Sequence, residues 1–431
     1  MTIKLPAFLP PAAEAYLVGG CVRDLLIGRA PADYDVVVCG DPLAYADLVA
    51  AAAGGRVVEI GKPGLRVRRV VFAGGFCDVT RAPEGGITAD LLRRDFTVNA
   101  MAVATDSGAI LDITGGSDDL VRKTIRKVSD AVFSSDPLRL LRAFRLAAAL
   151  GFRIEPQTMA AIGRESGAIS RSAGERVRDE LLKLFSSPGS QDALRGMVAT
   201  GLLETVVPEL SRAGRRRLEH ALNVHRRLEE WFVRWEDFEP DVAARLAEVI
   251  TAHRQALVKL AAILGPLEDE ARGTHSIATA LRRLRFSNRD AERLEFMVRL
   301  RHLPLEAFSS TAPARQAAVR LFRTAGDHLP ELLLHAVADC EAGAAEPDAR
   351  SRRFNAWARG LLRDYFFDHV PRMRAPRPIN GRDLIEEFGL TPSPLFAQII
   401  ELIEEERLSR DGVDRAQALH IVKKFLARQR H

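Results

Sequence analysis

The stretch YLVGGCVRDLLIGRAPADYDVVV, residues 16–38, brings two adjacent glycines, an Arg-Asp pair and two aspartates at i and i+2 into one short span. An apolar run that reaches a glycine turn and continues as a helix presents unsatisfied backbone N–H groups and a partial positive charge, a setting that suits an anion. Gly19 and Gly20 would let such a group approach the backbone closely. Asp33 and Asp35 lie in a run that ends in three valines and reads as a strand, where alternate side chains share one face. Both carboxylates then face one point.

A third acidic residue, Asp78, falls in another strand-like run, VVFAGGFCDVTR, residues 70–81. Two aspartates at i and i+2 also occur on ordinary solvated strand edges, so the upstream glycine turn and Asp78 carry the weight. Three carboxylates from neighbouring strands could hold two Mg²⁺ ions completed by water and triphosphate oxygens. Such ions acidify an attacking hydroxyl and neutralise departing pyrophosphate.

Working outward, residues 15–130 mix short β-branched runs with one or two helices and glycine turns, the texture of an α+β domain. The strands then stop. DPLRLLRAFRLAAALGF, residues 136–152, begins at an Asp-Pro signal and ends at Gly151, as a capped helix should. Arg139, Arg142 and Arg145 recur every three residues and so share one side of that helix. Residues 155–431 are rich in Leu, Ala, Arg and Glu and read as helical nearly throughout, with joints near SSPGS (186–190), VVPEL (206–210) and PRMRAPRPING (371–381). No internal repeat is evident.

The 431 residues suffice for two to four domains, and 47% hydrophobic content supports ordinary buried cores. The net charge of +5 is a weak excess, but Arg350, Arg352, Arg353, Arg359, Arg363, Arg372, Arg374, Arg377 and Arg382 face only Asp364 and Asp368 in their segment, a candidate surface for a polyanion. Cys21, Cys39, Cys77 and Cys340 form no CxxC pair, which argues against a zinc knuckle or disulfide framework and fits a reducing compartment. Pro6, Pro10, Pro11 and Glu14 interrupt what a signal peptide would keep apolar, and no apolar run reaches membrane-spanning length. A cytoplasmic protein without a membrane partner is expected.

LVGGCVRDLLIGRAPADYDVVV, LLRRDFTVNAMAV and DPLRLLRAFRLAAALGFRI, in this order and separation, resemble successive motifs of the bacterial tRNA nucleotidyltransferase and poly(A) polymerase family, the class II CCA-adding enzymes. The resemblance covers about the first 190 residues strongly and INGRDLIEEFGLTPSPLFAQII, residues 379–400, moderately. It implies a polymerase-β-like nucleotidyltransferase head with a mixed sheet, followed by an all-α neck, body and tail. The expected segments are 1–130 for the head, 131–190 for the neck with its base-reading helix, 191–370 for the body and 371–431 for a tail that binds tRNA. Implied partners are the tRNA 3′ end, CTP and ATP, with Mg²⁺ as cofactor.

By position, the resemblance gives Gly19, Gly20 and Arg23 to the incoming triphosphate and Asp33 and Asp35 to the metal, with Asp78 as third catalytic carboxylate. Arg94 and Asp95 correspond to a ribose-reading pair that senses the 2′-hydroxyl. Asp136 and Arg139 correspond to the pair that presents hydrogen-bonding edges to the base, so that protein replaces a template. Arg142 and Arg145 lie within reach of the same nucleotide. Asn99 reads equally well as a turn residue, and AGERVRDELLKLF, residues 173–185, reads as an amphipathic supporting helix.

Two departures qualify the match. Relatives that carry a His-Asp metal pair of phosphohydrolase type have it after a segment resembling LVKLAAIL, where this chain has Gly265 and Pro266. No second metal-dependent hydrolase site is therefore expected. The segment APEGGITADLL, residues 82–92, is short where CCA-adding relatives usually carry an extended flexible loop, which resembles members that add CC alone. A poly(A) polymerase shares the chemistry, and a catalytically inert RNA-binding remnant is the reading from another class. Intact Asp33, Asp35 and Asp78 speak against the remnant.

Overall fold

Seven β-branched or apolar runs of the N-terminal region form one mixed sheet: β1 (Ala15–Val18), β2 (Tyr34–Val38), β3 (Arg56–Ile60), β4 (Val67–Phe72), β5 (Gly75–Arg81), β6 (Ala102–Ala104) and β7 (Ile110–Leu111), in the order β3-β4-β5-β2-β1-β6-β7. This computed structural model describes residues 2–61, 67–268, 275–343, 347–409 and 413–428. All neighbouring pairs are antiparallel except β2 and β5. A parallel pair needs a long crossover. Here helix α2, Pro42–Ala53, and the β3–β4 hairpin supply it. Asp41 caps α2 by accepting from the Leu43 N–H, proline stands in its first turn, and left-handed Gly54 ends it.

Helix α1 is Gly20–Leu26 and α3 is Gly86–Leu92. Leu17, Val18, Val36, Val70, Val79 and Val103 are fully buried in the head. Val18, Val37, Leu91 and Ala102 join in one cluster, which fixes α3 against the sheet. Helix Arg139–Leu150 buries Leu140, Leu141, Phe144 and Leu146 and ends at left-handed Gly151. Its apolar stripe packs on helices Gly174–Phe185 and Ser190–Ala199.

The chain divides into two compact units, Met1–Ser211 with Arg282–Arg285, and Arg212–Leu281 with Phe286–His431. The divisions expected after residues 130 and 190 both fall inside the first unit, and that after 370 inside the second. The expected head and neck thus fall together in one unit, and the expected body and tail in the other. The second unit is helical among the described residues. Helix Ala252–Leu264 is buried continuously from Ala256 to Leu264, as a central helix should be. Towards the C-terminus, Ile379, Leu384, Ile399, Ile403, Ala418 and Val422 make a separate small core, and Asn380 and Asp383 close a capping box there. Among the described residues no helix is long and apolar enough to cross a membrane.

Candidate active site

Strand register places the acidic residues. Asp35 in β2 and Asp78 in β5 are directly paired Cα partners in the parallel ladder, and Asp33 stands in the bend just before β2, outside the ladder, where its charge still acts on Asp35. Asp33 and Asp35 are both solvent-accessible. Burial of part of its surroundings pushes the Asp35 carboxyl up to about 6; Arg94 opposes this, and Asp78, Asp33 and Asp90 add to it. The side chain thus keeps access to solvent while its hydration is curtailed. Accessible carboxylates with hard oxygen donors are the kind of group that Mg²⁺ takes. Among the described residues no three His, Cys, Asp or Glu side chains form a ready-made cage. Asp78 is engaged elsewhere: Arg69, its partner across β4 and β5, donates to both its oxygens at 2.7 Å and stacks on Phe76.

Gly19 holds the turn open. Its φ of 83° is left-handed, and a Cβ there would stand 2.7 Å from Arg94 Nη1. Any other residue would be strained at this φ and would have to push the Arg94 guanidinium aside. From Gly20, α1 carries Arg23 inward, where its Nη1 donates to Asn99 Oδ1 at 2.7 Å and its Nε to Asp24 at 2.8 Å.

Asn99, which the sequence left balanced between a turn residue and a direct role, bridges two candidate residues. It is buried in the turn Thr97–Asn99, and while its oxygen receives Arg23 its Nδ2 donates to Asp95 at 3.1 Å. The amide thereby joins the triphosphate candidate to the ribose candidate. Asp95 also accepts from the Phe96 N–H at 2.8 Å and from Arg142 Nε at 2.9 Å. Burial acts to raise the Asp95 carboxyl, but Arg142, Asn99 and the Phe96 N–H outweigh it and hold it below the usual range. Asp90 is a residue that went unnoticed. Buried at the end of α3, it receives Arg94 at 2.7 and 2.8 Å and Arg93 at 2.8 Å. An acidic residue before RRDF was the available signal.

Arg139, the first residue of its helix, donates to the Arg93 carbonyl at 2.8 Å and to Ser135 Oγ at 3.1 Å. It borders a cavity of about 510 Å³ together with Asp90, Arg93, Arg94 and Ser135. Asp136 stands just before that helix and receives Arg176 at 2.9 Å. The three arginines do not act as one row. Arg142 turns to Asp95, and Arg145 binds Glu180 at 2.6 Å. Arg176 and Glu180 both come from helix Gly174–Phe185, which therefore orders the charged groups as well as packing beneath them.

Between β5 and α3 only residues 82–85 intervene, and the rest of the short segment is α3 itself. In the arginine-rich segment, Arg363 pairs with Glu239, Arg372 with Asp368, Arg377 with Glu404 and Arg382 with Glu386, and Arg359 lies over Trp231 and Phe238. Arg350, Arg353 and Arg374 are exposed.

Residues 15–126 match the family described as the poly A polymerase head domain, and residues 151–213 match the probable RNA and SrmB-binding site of polymerase A. Over 431 aligned residues the chain is 31% identical to a CC-adding tRNA nucleotidyltransferase of Geobacter sulfurreducens, covering 97% of this chain and 94% of the relative. An A-adding tRNA nucleotidyltransferase of Deinococcus radiodurans is also 31% identical, over 94% and 93% of the two chains. In fold, the chain is similar to a CCA-adding enzyme solved in complex with CTP, with a TM-score of 0.71, 24% identity, and 96% and 91% of the chains covered.

Proposed function

This chain belongs to the bacterial tRNA nucleotidyltransferase and poly(A) polymerase family, and on that premise we propose that it adds C residues from CTP to the tRNA 3′ end without a nucleic-acid template. The observation that carries this reading is the position of Arg94. It stands against Gly19, exerts its charge on Asp35 and borders the Arg139-lined cavity, so one side chain links the acidic edge to the nucleotide space.

The 3′-hydroxyl of tRNA attacks the α-phosphorus of CTP; a new phosphodiester bond forms, the α–β bridge breaks and pyrophosphate leaves. Asp33 and Asp35 are the residues that would hold Mg²⁺, which supplies a more acidic hydroxyl and neutralises charge on the phosphates. Gly20 and Arg23 receive the triphosphate, and Asn99 fixes the Arg23 fork. Arg94 and Asp95 read the ribose. Asp136 and Arg139 offer acceptor and donor edges to cytosine. Arg142 and Arg145, turned to Asp95 and Glu180, hold the reading groups in place from behind.

The product is CC, from the short connection between β5 and α3. Four free cysteines support a reducing, cytoplasmic setting for the protein. A poly(A) polymerase reading is disfavoured, because the full-length relatives are tRNA enzymes by name. The test is to incubate tRNA ending at the discriminator base with CTP, ATP or both and size products at single-nucleotide resolution. Two additions from CTP are expected; long tails from ATP alone would overturn the proposal.

A further inference from the structure

The second unit contains a cavity of about 530 Å³ that the nucleotidyl-transfer reading does not use. Arg216, Arg217 and His220 reach it from the first turns of helix Arg215–Phe232, Arg301 from the end of helix Asn288–Leu300, and His335 and Asp339 from helix Leu329–Glu341. Ala221, Val224 and Ala262 supply an apolar wall.

The charges are unevenly matched. Asp339 receives His220 Nε2 at 2.7 Å, and Glu268 pairs with Arg301. Neither Arg216 nor Arg217 has an ion-pair partner among the described residues. Burial holds the Arg301 guanidinium below its ordinary range; Asp339 opposes this, and the charge of Arg217 adds to it. Arg217 and Arg301 therefore repel across a space whose carboxylates among the described residues, Asp339 and Glu268, are already engaged. His335 is buried, and burial foremost holds it neutral at about 4. Its Nδ1 has no partner, an unmet buried polar atom of the kind that a ligand or water satisfies.

We propose that this cavity is a metal-independent binding site for a small phosphomonoester, held by Arg216, Arg217 and Arg301, with its organic body on the Ala221–Val224 wall. Planar guanidinium forks match phosphate oxygens in pairs, and a dianion suits a site where, among the described residues, cationic groups outnumber anionic ones. The volume falls in the range of small-ligand pockets and fits a nucleoside monophosphate. Gly265 and Pro266 line the space and offer no metal-binding side chain, so the arginines carry the recognition. The site is independent of the roles assigned in the head.

The test is calorimetry on the full chain in EDTA with inorganic phosphate, AMP, adenosine and a short RNA oligonucleotide. Phosphate and AMP should bind at one site per chain, and adenosine should not. The double variant Arg216→Glu with Arg217→Glu should weaken AMP about tenfold or more. Both positions are exposed in the first turn of their helix, where acidic residues are favourable, so the variant should fold. Arg23→Ala should leave AMP binding unchanged, which separates this site from the head. Absence of AMP binding, equal affinity in the double variant, a requirement for divalent cation, or binding of the oligonucleotide alone would each overturn the assignment.

Discussion

Arg69 and Asp78 are paired across β4 and β5, and the guanidinium donates to both carboxylate oxygens at 2.7 Å. One strand further, Asp35 is the register partner of Asp78. Arg69 is thus a built-in cation at the edge of the site proposed for Mg²⁺, and it competes for the field of the same carboxylates. Arg69→Gln should strengthen Mn²⁺ binding roughly threefold to tenfold, the effect of removing one nearby charge at a protein surface. Electron paramagnetic resonance of free and bound Mn²⁺ reads this directly; unchanged affinity would place Asp78 outside the cation's reach. Asp35→Ala should act in the opposite direction and lower transfer by about a hundred- to a thousand-fold with RNA affinity retained.

Asn99 makes a distinct prediction. Its amide receives Arg23 and donates to Asp95, so Asn99→Ala leaves the Arg23 Nη1 donor unmatched and removes one of the two hydrogen bonds to Asp95 Oδ1, which keeps the Phe96 N–H. An unmet buried polar group costs on the order of 1–3 kcal/mol. We expect KM for every nucleotide to rise and the preference for CTP over dCTP to fall together. Loss of only one of the two would show that Arg23 and Asp95 are positioned separately.

The sheet and the helix after it were legible because local pattern decides them: β-branched runs with glycine turns, then an Asp-Pro start and a Gly151 stop. The acidic edge was legible only in part: the strand holding Asp35 was readable from its valines, but the strand begins at Tyr34, so Asp33 lies in the bend before it and strand period does not orient it. What lay beyond the sequence was pairing across distance. Periodicity placed Arg139, Arg142 and Arg145 on one side of a helix, but only packing sends Arg142 to Asp95 and Arg145 to Glu180. Asn99 and Arg69 were hidden likewise, because an amide in a turn and an arginine in a strand have no spacing that names their partners.

Stability of the second unit should fall on acidification. His225 and His335 are buried, and burial foremost depresses them to about 3 and about 4. Below the unfolded value of 6.5 the unfolded chain takes up protons that these folded residues refuse, so stability is full above 6.5 and declines as pH falls. Between pH 6.5 and 5 each contributes a loss on the order of 2 kcal/mol. His220, raised foremost by its hydrogen bond to Asp339, has the opposite sign: its contribution is complete below 6.5 and is lost as pH rises through its folded value. Tm measured against pH for His335→Gln and the parent chain should converge toward low pH. Parallel curves would show that His335 does not couple protonation to folding.

The arginine-rich segment should bind RNA through its uncommitted members. Arg363, Arg372, Arg377 and Arg382 already face carboxylates, whereas Arg350, Arg353 and Arg374 are exposed without a described partner. Reversing those three should lower tRNA affinity and flatten its salt dependence, by about 0.7–0.9 in log-log slope for each phosphate no longer neutralised. The same change at Arg382 should have less effect. An unaltered slope would mean that RNA does not touch this surface.

Supplied with both nucleotides, the enzyme should stop after the second C. Selecting A next requires Asp136 and Arg139 to present different edges to a larger base, and a mobile loop anchored beside the site is a common lever for such a shift. Here residues 82–85 alone join β5 to α3, and the far end of α3 is tied down, since the Arg93 carbonyl just beyond it receives Arg139 at 2.8 Å. Leu91 packs under the sheet with Val18, Val37 and Ala102. The connection therefore has neither length nor slack, and moving α3 would unseat Leu91 and break the contact between Arg139 and the Arg93 carbonyl. A tRNA ending in CC, incubated with ATP, should gain the terminal A poorly, while a tRNA ending at the discriminator base gains two C residues readily. Efficient addition of A would show that another segment moves the reading pair and would restore full CCA synthesis.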